Sequence, residues 1–460
     1  MKYLTSNPAL LFISSFLLVI FLGSLLLMLP QATQGGSNYI DALFISTSAV
    51  CVTGLSTVDT STYYTTFGQV IIMFLIQVGG LGILTFISYF SYFFKGNASY
   101  KSQEMLGQMN NVEKLPDVFR TLRNILIVTF SIETFGAVLI FLSINKSVIP
   151  SLGDRIFFSF FHAVSGFCNA GFSLMKNSLY EQPFRYNYFF QLSIALMIIL
   201  GGIGFPIILN IRKYIINKLG NFFRRLFKKR EMNYKRRLIS LDSYLAIVTS
   251  SFLIIIGTLF FLFFEYNGVL SEHSLLGKIV IAFFSAITPR TAGFNSVDTA
   301  ALSLPITLIV IFLMWIGASP ASTGGGIKTN TFAIACLNIA SMVRGKRHVE
   351  IFHREISHYS INQAFVIIML SFFVIFLAVF GITLSDGKKG LLNIVFETIS
   401  AYSTVGLSRG ITSALSVSSK IIIIITMFLG RMSTFTVLIA FVKRAKIMKY
   451  HFPKENVLIN

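Results

Sequence analysis

The sequence predicts an all-α polytopic membrane protein with eight transmembrane spans. Three observations lead to this fold class: the composition, the placement of the basic residues and a recurring glycine turn. Of the 460 residues, 54% are hydrophobic and 12% are charged, and the mean hydropathy is +0.74. Soluble domains carry roughly 25% charged residues, so a soluble globular fold is close to excluded. Cys51, Cys168 and Cys336 are too scattered for a disulfide framework or a zinc-binding pair.

Eight apolar stretches are long enough to cross a hydrocarbon layer of roughly 30 Å. They lie near residues 9–29, 68–93, 123–143, 187–211, 243–264, 303–343, 362–383 and 419–442. We expect the first to be a retained helix, because it exceeds the roughly 7 to 15 apolar residues of a signal peptide. The sixth is too long for one helix and contains Pro320 and Gly324 to Gly326. It therefore predicts two half-helices joined by a non-helical loop.

Four shorter apolar stretches alternate with the long ones. They are Asp41 to Val50, Arg155 to Phe167, Leu276 to Ile287 and Leu391 to Ala401. Their length suits re-entrant helices, which enter and leave the membrane by the same face.

The basic residues report the topology. Lys and Arg total 38 against 18 Asp and Glu, a formal net charge of +20, and 26 of the 38 lie in the termini and the loops 94–123, 211–241 and 344–360. Positively charged loops are retained inside, so both termini are predicted to be cytoplasmic, as an even number of spans requires. The run from Arg224 to Arg237 could also contact anionic membrane lipid or a cytoplasmic partner. We do not expect nucleic-acid binding.

A glycine-centred turn follows each short apolar stretch. The four turns are Cys51-Val52-Thr53-Gly54, Cys168-Asn169-Ala170-Gly171, Arg290-Thr291-Ala292-Gly293 and Ser403-Thr404-Val405-Gly406, with glycines 117, 122 and 113 residues apart. Glycine adopts backbone angles closed to other residues, so such turns can aim carbonyl oxygens at a common axis and replace the water around a cation. The sequence thus predicts four pseudo-repeated units around a central ion pore. Each unit is a helix, a re-entrant pore helix with its filter loop, and a second helix.

Other glycines have a simpler interpretation. Gly79, Gly80, Gly82, Gly201, Gly202 and Gly204 lie within the long apolar stretches. We expect them to serve close packing between helices.

The repeats divide the chain into eight segments. The pore repeats are 1–93, 122–211, 242–343 and 361–445, the cytoplasmic loops are 94–121, 212–241 and 344–360, and the cytoplasmic tail is 446–460. A gate loop, 317–327, interrupts the third repeat.

The four turns carry a family resemblance. Ser48 to Leu55 and Ser400 to Leu407 are the clearest, and they resemble the filter loops of the Trk/Ktr/HKT superfamily of potassium transporters, most closely the Ktr-type membrane subunit. The resemblance covers nearly the whole chain. It implies a selectivity filter at Val52, Thr53, Gly54, Asn169, Ala170, Gly171, Thr291, Ala292, Gly293, Thr404, Val405 and Gly406. In that family a first-repeat glycine accompanies potassium selectivity, so Gly54 implies potassium. With one glycine per repeat and no tyrosine after it, discrimination against sodium should be weaker than in potassium channels.

The resemblance also implies a gate below the filter. Its residues are Gly317, Gly324, Gly325, Gly326, Lys328 and Arg431. A run of small residues has little packing to order it, so we expect the loop to move easily. A phosphate-binding P-loop is disfavoured because Ile327 separates the glycines from Lys328 and no strand precedes them. Arg431 lies in an apolar helix, where a charge requires a partner or water, and it resembles a positive barrier to cations.

Several ionisable residues remain open to interpretation. Glu133 and Glu397 lie in apolar segments and could be hydrogen-bond partners or could couple ions. His348, His353 and His358 recur every five residues, which on a helix turns neighbours about 140° apart. We therefore expect a solvated or partner-facing stretch there and no shared metal ion.

Potassium uptake, driven by the membrane potential across a prokaryotic plasma membrane, is the predicted function. Stimulation by sodium stays open, and the resemblance further implies a homodimer on a cytoplasmic ring of nucleotide-binding regulatory subunits. ATP, ADP or NAD would bind that ring, and this chain needs no cofactor of its own. A sodium-permeable transporter of the same architecture is the alternative. A polytopic membrane enzyme is less favoured, because no His, Asp and Glu cluster supplies an active site.

Overall fold

The computed structural model describes residues 8–36, 38–82, 117–226, 240–346, 348–351 and 354–441. Most of the predicted loop 94–121, most of the basic run from Arg224 to Arg237, His353 and the tail 446–460 lie outside these residues. Most of the described residues are helical.

The described helices fall into four successive groups along the chain. The first group is α1 (Pro8–Leu27), α2 (Tyr39–Val50), α3 (Thr60–Tyr63) and α4 (Thr66–Leu81). The second is α5 (Asp117–Ser143), α6 (Leu152–Phe167), α7 (Gln182–Arg185), α8 (Tyr188–Ile203) and α9 (Phe205–Leu226). The third is α10 (Leu241–Glu265), α11 (Leu275–Ile287), α12 (Leu304–Trp315) and α13 (Thr329–Val343). After β1 (Glu350–Ile351) and β2 (Arg354–Glu355), the fourth is α14 (His358–Asp386), α15 (Leu391–Tyr402), α16 (Val417–Met432) and α17 (Thr434–Phe441).

The four groups pack in a cycle. The short helices α2, α6, α11 and α15 lie inside. Both long helices of the same group contact α2, α6 and α15, and α10 contacts α11. Each also contacts the preceding group: α4 packs on α6, α8 on α11, α12 on α15, and α16 packs back on α2. The closing contact between the fourth and first groups makes the arrangement a ring.

Local sequence explains where the helices begin. Hydroxyl side chains cap several of them: Ser151 accepts from the N–H of Asp154 before α6, Ser274 from Gly277 before α11, and Ser416 from Ser419 before α16. Such caps satisfy backbone donors that have no partner within the helix. Buried apolar side chains lie mainly on the short central helices and on the helix faces that cover them, whereas many large apolar side chains elsewhere are exposed, as expected of a lipid-facing surface.

The second long helix of the second, third and fourth groups is broken. α12 ends at Trp315 and α13 begins at Thr329, so the sixth apolar stretch is interrupted as predicted. The predicted continuous helices 187–211 and 419–442 are wrong: α8 and α9 meet at an angle of 99°, and Ser433 separates α16 from α17. The prediction that Gly82 and Gly204 lie inside long helices is also wrong. Each ends one, with φ of 77° and 96°, which stops the α-helical hydrogen-bond pattern.

These breaks affect the span count. Among the described residues, three helices are by themselves long and apolar enough to cross a membrane: Arg123–Ser143, Leu241–Glu265 and His358–Lys389. The bent pair of α8 and α9 makes a fourth if it counts as one span. Eight spans therefore stay a prediction.

The histidine segment is not helical. Glu350–Ile351 and Arg354–Glu355 are antiparallel strands, called the hairpin below, in which Glu350 pairs with Glu355 and Ile351 with Arg354. The helical spacing of about 140° expected between neighbouring histidines does not apply here, because two short stretches of the segment are strands, and the ring centroids of His348 and His358 lie 5.9 Å apart.

Candidate functional site

The four glycine turns share one backbone conformation. Each glycine has a positive φ: Gly54 90°, Gly171 71°, Gly293 75° and Gly406 92°. The residue two positions earlier is also left-handed, with φ of 56° at Val52, 59° at Asn169, 68° at Thr291 and 52° at Thr404. Such angles are uncommon outside glycine, and a left-handed residue interrupts the alternation of carbonyl directions along an extended strand. These four residues are among the predicted filter residues, but no pattern in the sequence indicates their strained backbone.

The turns meet one another in a closed ring. A methyl group added to Gly54 would lie 2.5 Å from the carbonyl oxygen of Ala170, and one on Gly171 would lie 2.8 Å from that of Ala292. In the same way Gly293 faces the carbonyl of Val405, and Gly406 faces that of Thr53. Each turn therefore contacts the next turn along the chain, and the fourth turn contacts the first. Any side chain at these four glycines would displace the neighbouring backbone.

Hydroxyl groups on the short helices hold the turns in place. Ser48 Oγ accepts from the N–H of Gly54 at 3.0 Å, and Ser400 Oγ accepts from the N–H of Gly406 at 3.1 Å. In the other two repeats the hydroxyl donates instead, Ser165 to the carbonyl of Phe172 and Thr288 to that of Phe294, both at 2.7 Å. These anchors were not predicted from the sequence. The recurrence of serine six residues before three of the glycines was the signal that could have found them.

The short helices end at the ring. α2, α6 and α15 stop at Val50, Phe167 and Tyr402, each four residues before its ring glycine. Glycines of the following long helices lie against the terminal carbonyls: Gly79 on Val50, Gly201 on Phe167 and Gly430 on Tyr402. A helix C-terminus carries partial negative charge, so these ends favour a cation at the ring. The packing role predicted for Gly79 and Gly201 agrees with these contacts.

A polar cavity lies on one side of the ring. Its volume is about 640 Å³, and all four ring glycines contribute to its lining. Asp59 and Asp298 line it as well, together with Lys176. The space is large enough for hydrated ions beside the ring.

The loop between α12 and α13 lies against the third and fourth turns. A methyl group on Gly324 would contact the side chain of Thr291, and one on Gly325 would lie 2.8 Å from Cγ2 of Thr404. Gly326, with φ of 67°, approaches Cα of Ser403 in the same way. These three glycines therefore allow close approach to the ring as well as backbone freedom.

This loop is better packed than its composition predicts. Ser319 N–H donates to Gly202 O at 3.0 Å, Thr323 Oγ1 donates to Phe167 O at 3.2 Å, and Gly325 N–H donates to Thr404 Oγ1 at 2.9 Å. Gly317 N–H donates to Ile327 O at 2.8 Å, which closes the base of the loop. The expectation of little packing is wrong, because neighbouring repeats supply the partners that small side chains lack.

Three cationic side chains bind carbonyl oxygens of this loop. Arg431 donates from Nη1 to Thr323 O and from Nη2 to Gly79 O at 2.5 Å, so it joins the loop to the first repeat. Lys328 Nζ donates to Gly324 O at 2.5 Å. Arg290, whose side chain the sequence analysis overlooked, donates to Gly317 O at 3.3 Å and to Ser250 O at 3.1 Å. The nearness of Arg290 to the ring glycine Gly293 was the available signal.

The two intramembrane glutamates have hydrogen-bond partners. Glu133 accepts from Gln77 Nε2 at 3.1 Å. Glu397 accepts from Ser408 Oγ at 2.6 Å and from Thr412 Oγ1 at 2.5 Å, and so braces the chain that follows the fourth turn. Both carboxyl groups therefore have partners within the protein, as the structural interpretation requires, and their role stays open.

Known proteins share this sequence and fold along nearly the whole chain. The TrkH family model, described as a cation transport protein, matches residues 3–450. The chain is 35% identical over 446 residues to Ktr system potassium uptake protein B of Bacillus subtilis (strain 168), covering 96% of this chain and 94% of that protein. It is 33% identical over 463 residues to potassium/sodium uptake protein NtpJ of Enterococcus hirae, covering 98% and 97%.

A solved structure has the same fold. The crystal structure of the potassium transporter TrkH from Vibrio parahaemolyticus matches with a TM-score of 0.68 at 18% identity, covering 94% of this chain and 85% of that one. The resemblance seen in the glycine turns is therefore confirmed, and the protein is a membrane cation transporter and not an enzyme. The chain belongs to the TrkH family of cation transport proteins.

Proposed function

We propose that the chain takes up potassium through the ring of four glycine turns. The observation that carries this proposal is the closure of the ring, in which each turn lies against a carbonyl of the next. Rings of backbone carbonyls replace the hydration shell of a cation. The filter residues would be the three that end at each glycine: 52–54, 169–171, 291–293 and 404–406.

Potassium is favoured over sodium as the principal ion. The Bacillus subtilis relative is named a potassium uptake protein. Gly54 gives the first turn a glycine at the same place in the ring as in the other three turns. The Enterococcus hirae relative is named a potassium/sodium uptake protein, which supports a sodium-permeable transporter as the second candidate. If the chain takes up potassium, activation of that uptake by sodium stays open. An inside-negative potential supplies about 2.3 kcal/mol per 100 mV for each cation that enters, so the chain needs no ATP hydrolysis.

The loop 317–327 serves as the gate in this proposal. It lies against the third and fourth turns, and Arg431 and Lys328 hold two of its carbonyls. The gate residues are thus Gly317, Gly324, Gly325, Gly326, Lys328 and Arg431. A cation that leaves the ring on this side meets both the loop and the positive charge of Arg431. Conduction then requires the loop to move aside.

We also propose a cellular location and an assembly for the transporter. The chain crosses the plasma membrane of a prokaryote several times, with both termini in the cytoplasm, as the basic loops indicate. It acts as a homodimer on a cytoplasmic ring of regulatory subunits, and ATP, ADP or NAD binds that ring.

Cation flux into proteoliposomes that contain only this purified chain tests the proposal. Potassium, rubidium, sodium and lithium are compared under an imposed inside-negative voltage. We expect entry of potassium and rubidium and little entry of lithium. Equal flux of all four cations would contradict the filter, and sodium entry equal to that of potassium would favour the second candidate. If no cation enters, potassium binding by calorimetry decides whether the filter exists.

A further inference from the structure

The hairpin between α13 and α14 is anchored to both helices. Ile356 N–H donates to Val349 O at 2.9 Å beside the β1 and β2 pairing. Val349 and Ile356 are buried, with Ile361, against Ile334 and Leu337 of α13 and Phe365 of α14. The hairpin therefore has a fixed position between the two helices.

Three potential metal ligands converge on this hairpin. His348 Nδ1 lies 2.6 Å from Glu355 Oε1, and one ligand atom from each of His348, Glu355 and His358 lies within 4.8 Å of the others. His358 is the first residue of α14, and the hydroxyl of the preceding Ser357 accepts from Ser360 N–H at 3.2 Å, which fixes this helix start. All three side chains are exposed.

A second feature favours a cation here. The register places Glu350 directly opposite Glu355 on the two strands. Like charges that face each other across a strand pair are unfavourable, and a bound cation would relieve the repulsion.

We propose that His348, Glu355 and His358 bind a divalent cation of the zinc class. Two imidazole nitrogens and one carboxylate oxygen form a ligand set that zinc accepts, with water in the remaining position. Zinc requires ligand distances of about 2.0 to 2.2 Å, and rotation of these exposed side chains closes the remaining gap. The ion would join the start of the hairpin to the first turn of α14.

The position of the site gives the ion a regulatory consequence that rests on the proposed function. α13 begins at Thr329, directly after Lys328 of the gate loop, and ends shortly before His348. A bound ion holds the connection that follows α13 and so restrains the helix to which the gate loop is attached.

Metal binding by the untagged, full-length protein in detergent tests the site without any measurement of transport. Zn²⁺ is titrated by calorimetry in metal-free buffer, and Co²⁺ is titrated in parallel by its visible absorption. We expect one Zn²⁺ per chain. His348→Ala, Glu355→Gln and His358→Ala should each weaken binding by more than the roughly 10-fold to 100-fold typical of second-shell changes. His273→Gln, at a histidine on another part of the chain, is the matched control and should bind like the parent.

Elution volume and melting temperature establish that each variant is folded, and His348→Gln provides a milder second variant at the same position. Absence of Zn²⁺ binding by the parent, or equal binding by the parent and all ligand variants, would overturn the site and leave only an ion pair between His348 and Glu355. Rubidium flux with and without Zn²⁺ tests the regulatory consequence separately. An effect of Zn²⁺ on the parent that is lost in Glu355→Gln supports it, and an equal response in both contradicts it.

Discussion

The backbone N–H of Gly325 donates a hydrogen bond to the hydroxyl of Thr404 over 2.9 Å. This bond ties the loop between α12 and α13 to the fourth turn of the ring, at the residue with a left-handed backbone two positions before Gly406. The proposed gate and the proposed filter are thus in direct contact. Movement of the loop must break this bond, and a change at the fourth turn must reach the loop.

Replacing Thr404 tests that contact. Thr404→Val leaves the buried N–H of Gly325 without its acceptor, which costs about 1 to 3 kcal/mol in the closed loop. We expect basal potassium flux to rise roughly 5-fold to 100-fold, while Thr404→Ser retains the hydroxyl and stays near the parent. Thr426→Val is the control, because among the residues the structure describes its hydroxyl bonds only the Ile422 carbonyl of its own helix. Parent-like flux in a folded Thr404→Val protein would contradict the role of the bond.

Arg431 should hold the loop closed. Arg431→Gln removes the positive charge and loses the charge-assisted bonds to Thr323 O and Gly79 O, each worth about 1.5 to 3 kcal/mol. We expect proteoliposome flux to rise roughly tenfold or more. A single ammonium group cannot reproduce the two-sided contact of a guanidinium, so Arg431→Lys should also raise flux. Arg344→Gln, at an exposed arginine after α13, is the control, and an equal effect of both glutamine variants would refute this role.

Gly54→Ser should relax selectivity. A Cβ at this position lies 2.5 Å from Ala170 O and 3.1 Å from Cα of Gly171, so the ring must deform to accept it. We expect sodium to enter through the variant, as measured by sodium flux in the absence of potassium. Gly35→Ala is the matched control, because a methyl group there meets no atom within 4 Å. Unchanged exclusion of sodium in the serine variant would count against the assignment of Gly54 to the filter.

Glu397 should act as a structural residue. Its carboxylate accepts from Ser408 and Thr412, and Glu397→Ala removes both bonds, at about 1.5 to 3 kcal/mol each. We expect a lower melting temperature for Glu397→Ala, a smaller decrease for Glu397→Gln, and voltage-driven flux in the folded glutamine variant. Glu265→Gln is the comparison, since this buried glutamate binds the backbone N–H of Ser303 at 2.9 Å. Altered pH dependence of flux at unchanged stability would instead indicate ion coupling by Glu397.

Stability should decrease at mildly acidic pH through His273, which lies in the loop between α10 and α11. Burial lowers the pKa of this imidazole below its ordinary value, and the charge of Arg185 lowers it further. Below a pH of about 6.5 the unfolded chain binds the proton more readily than the folded one, so the free energy of unfolding falls as the pH falls. Melting temperatures between about pH 7.5 and pH 5 should decrease less for His273→Gln than for the parent. A parent-like slope in His273→Gln would refute the assignment.

The sequence by itself determined the fold class and the positions of the ring glycines. Both depend on local properties: long apolar stretches must be helical in lipid, and a turn that needs left-handed backbone needs glycine. The break between Trp315 and Thr329 could be predicted for the same reason, because Pro320 and the three glycines mark it. Arg431 could be singled out because a charge in an apolar helix requires a partner.

Only the tertiary structure decided which partners these residues have. Arg431 binds Gly79, and Gly324 to Gly326 fit against the third and fourth turns, contacts that join residues far apart in the chain. No local pattern predicted the left-handed backbone of Val52, Asn169, Thr291 and Thr404, or the pairing that brings His348 to His358. Helical periodicity reports which face of a segment is apolar. The neighbour that covers that face depends on how the four repeats close into a ring, because this closure brings together backbone groups that the separate segments leave unpaired.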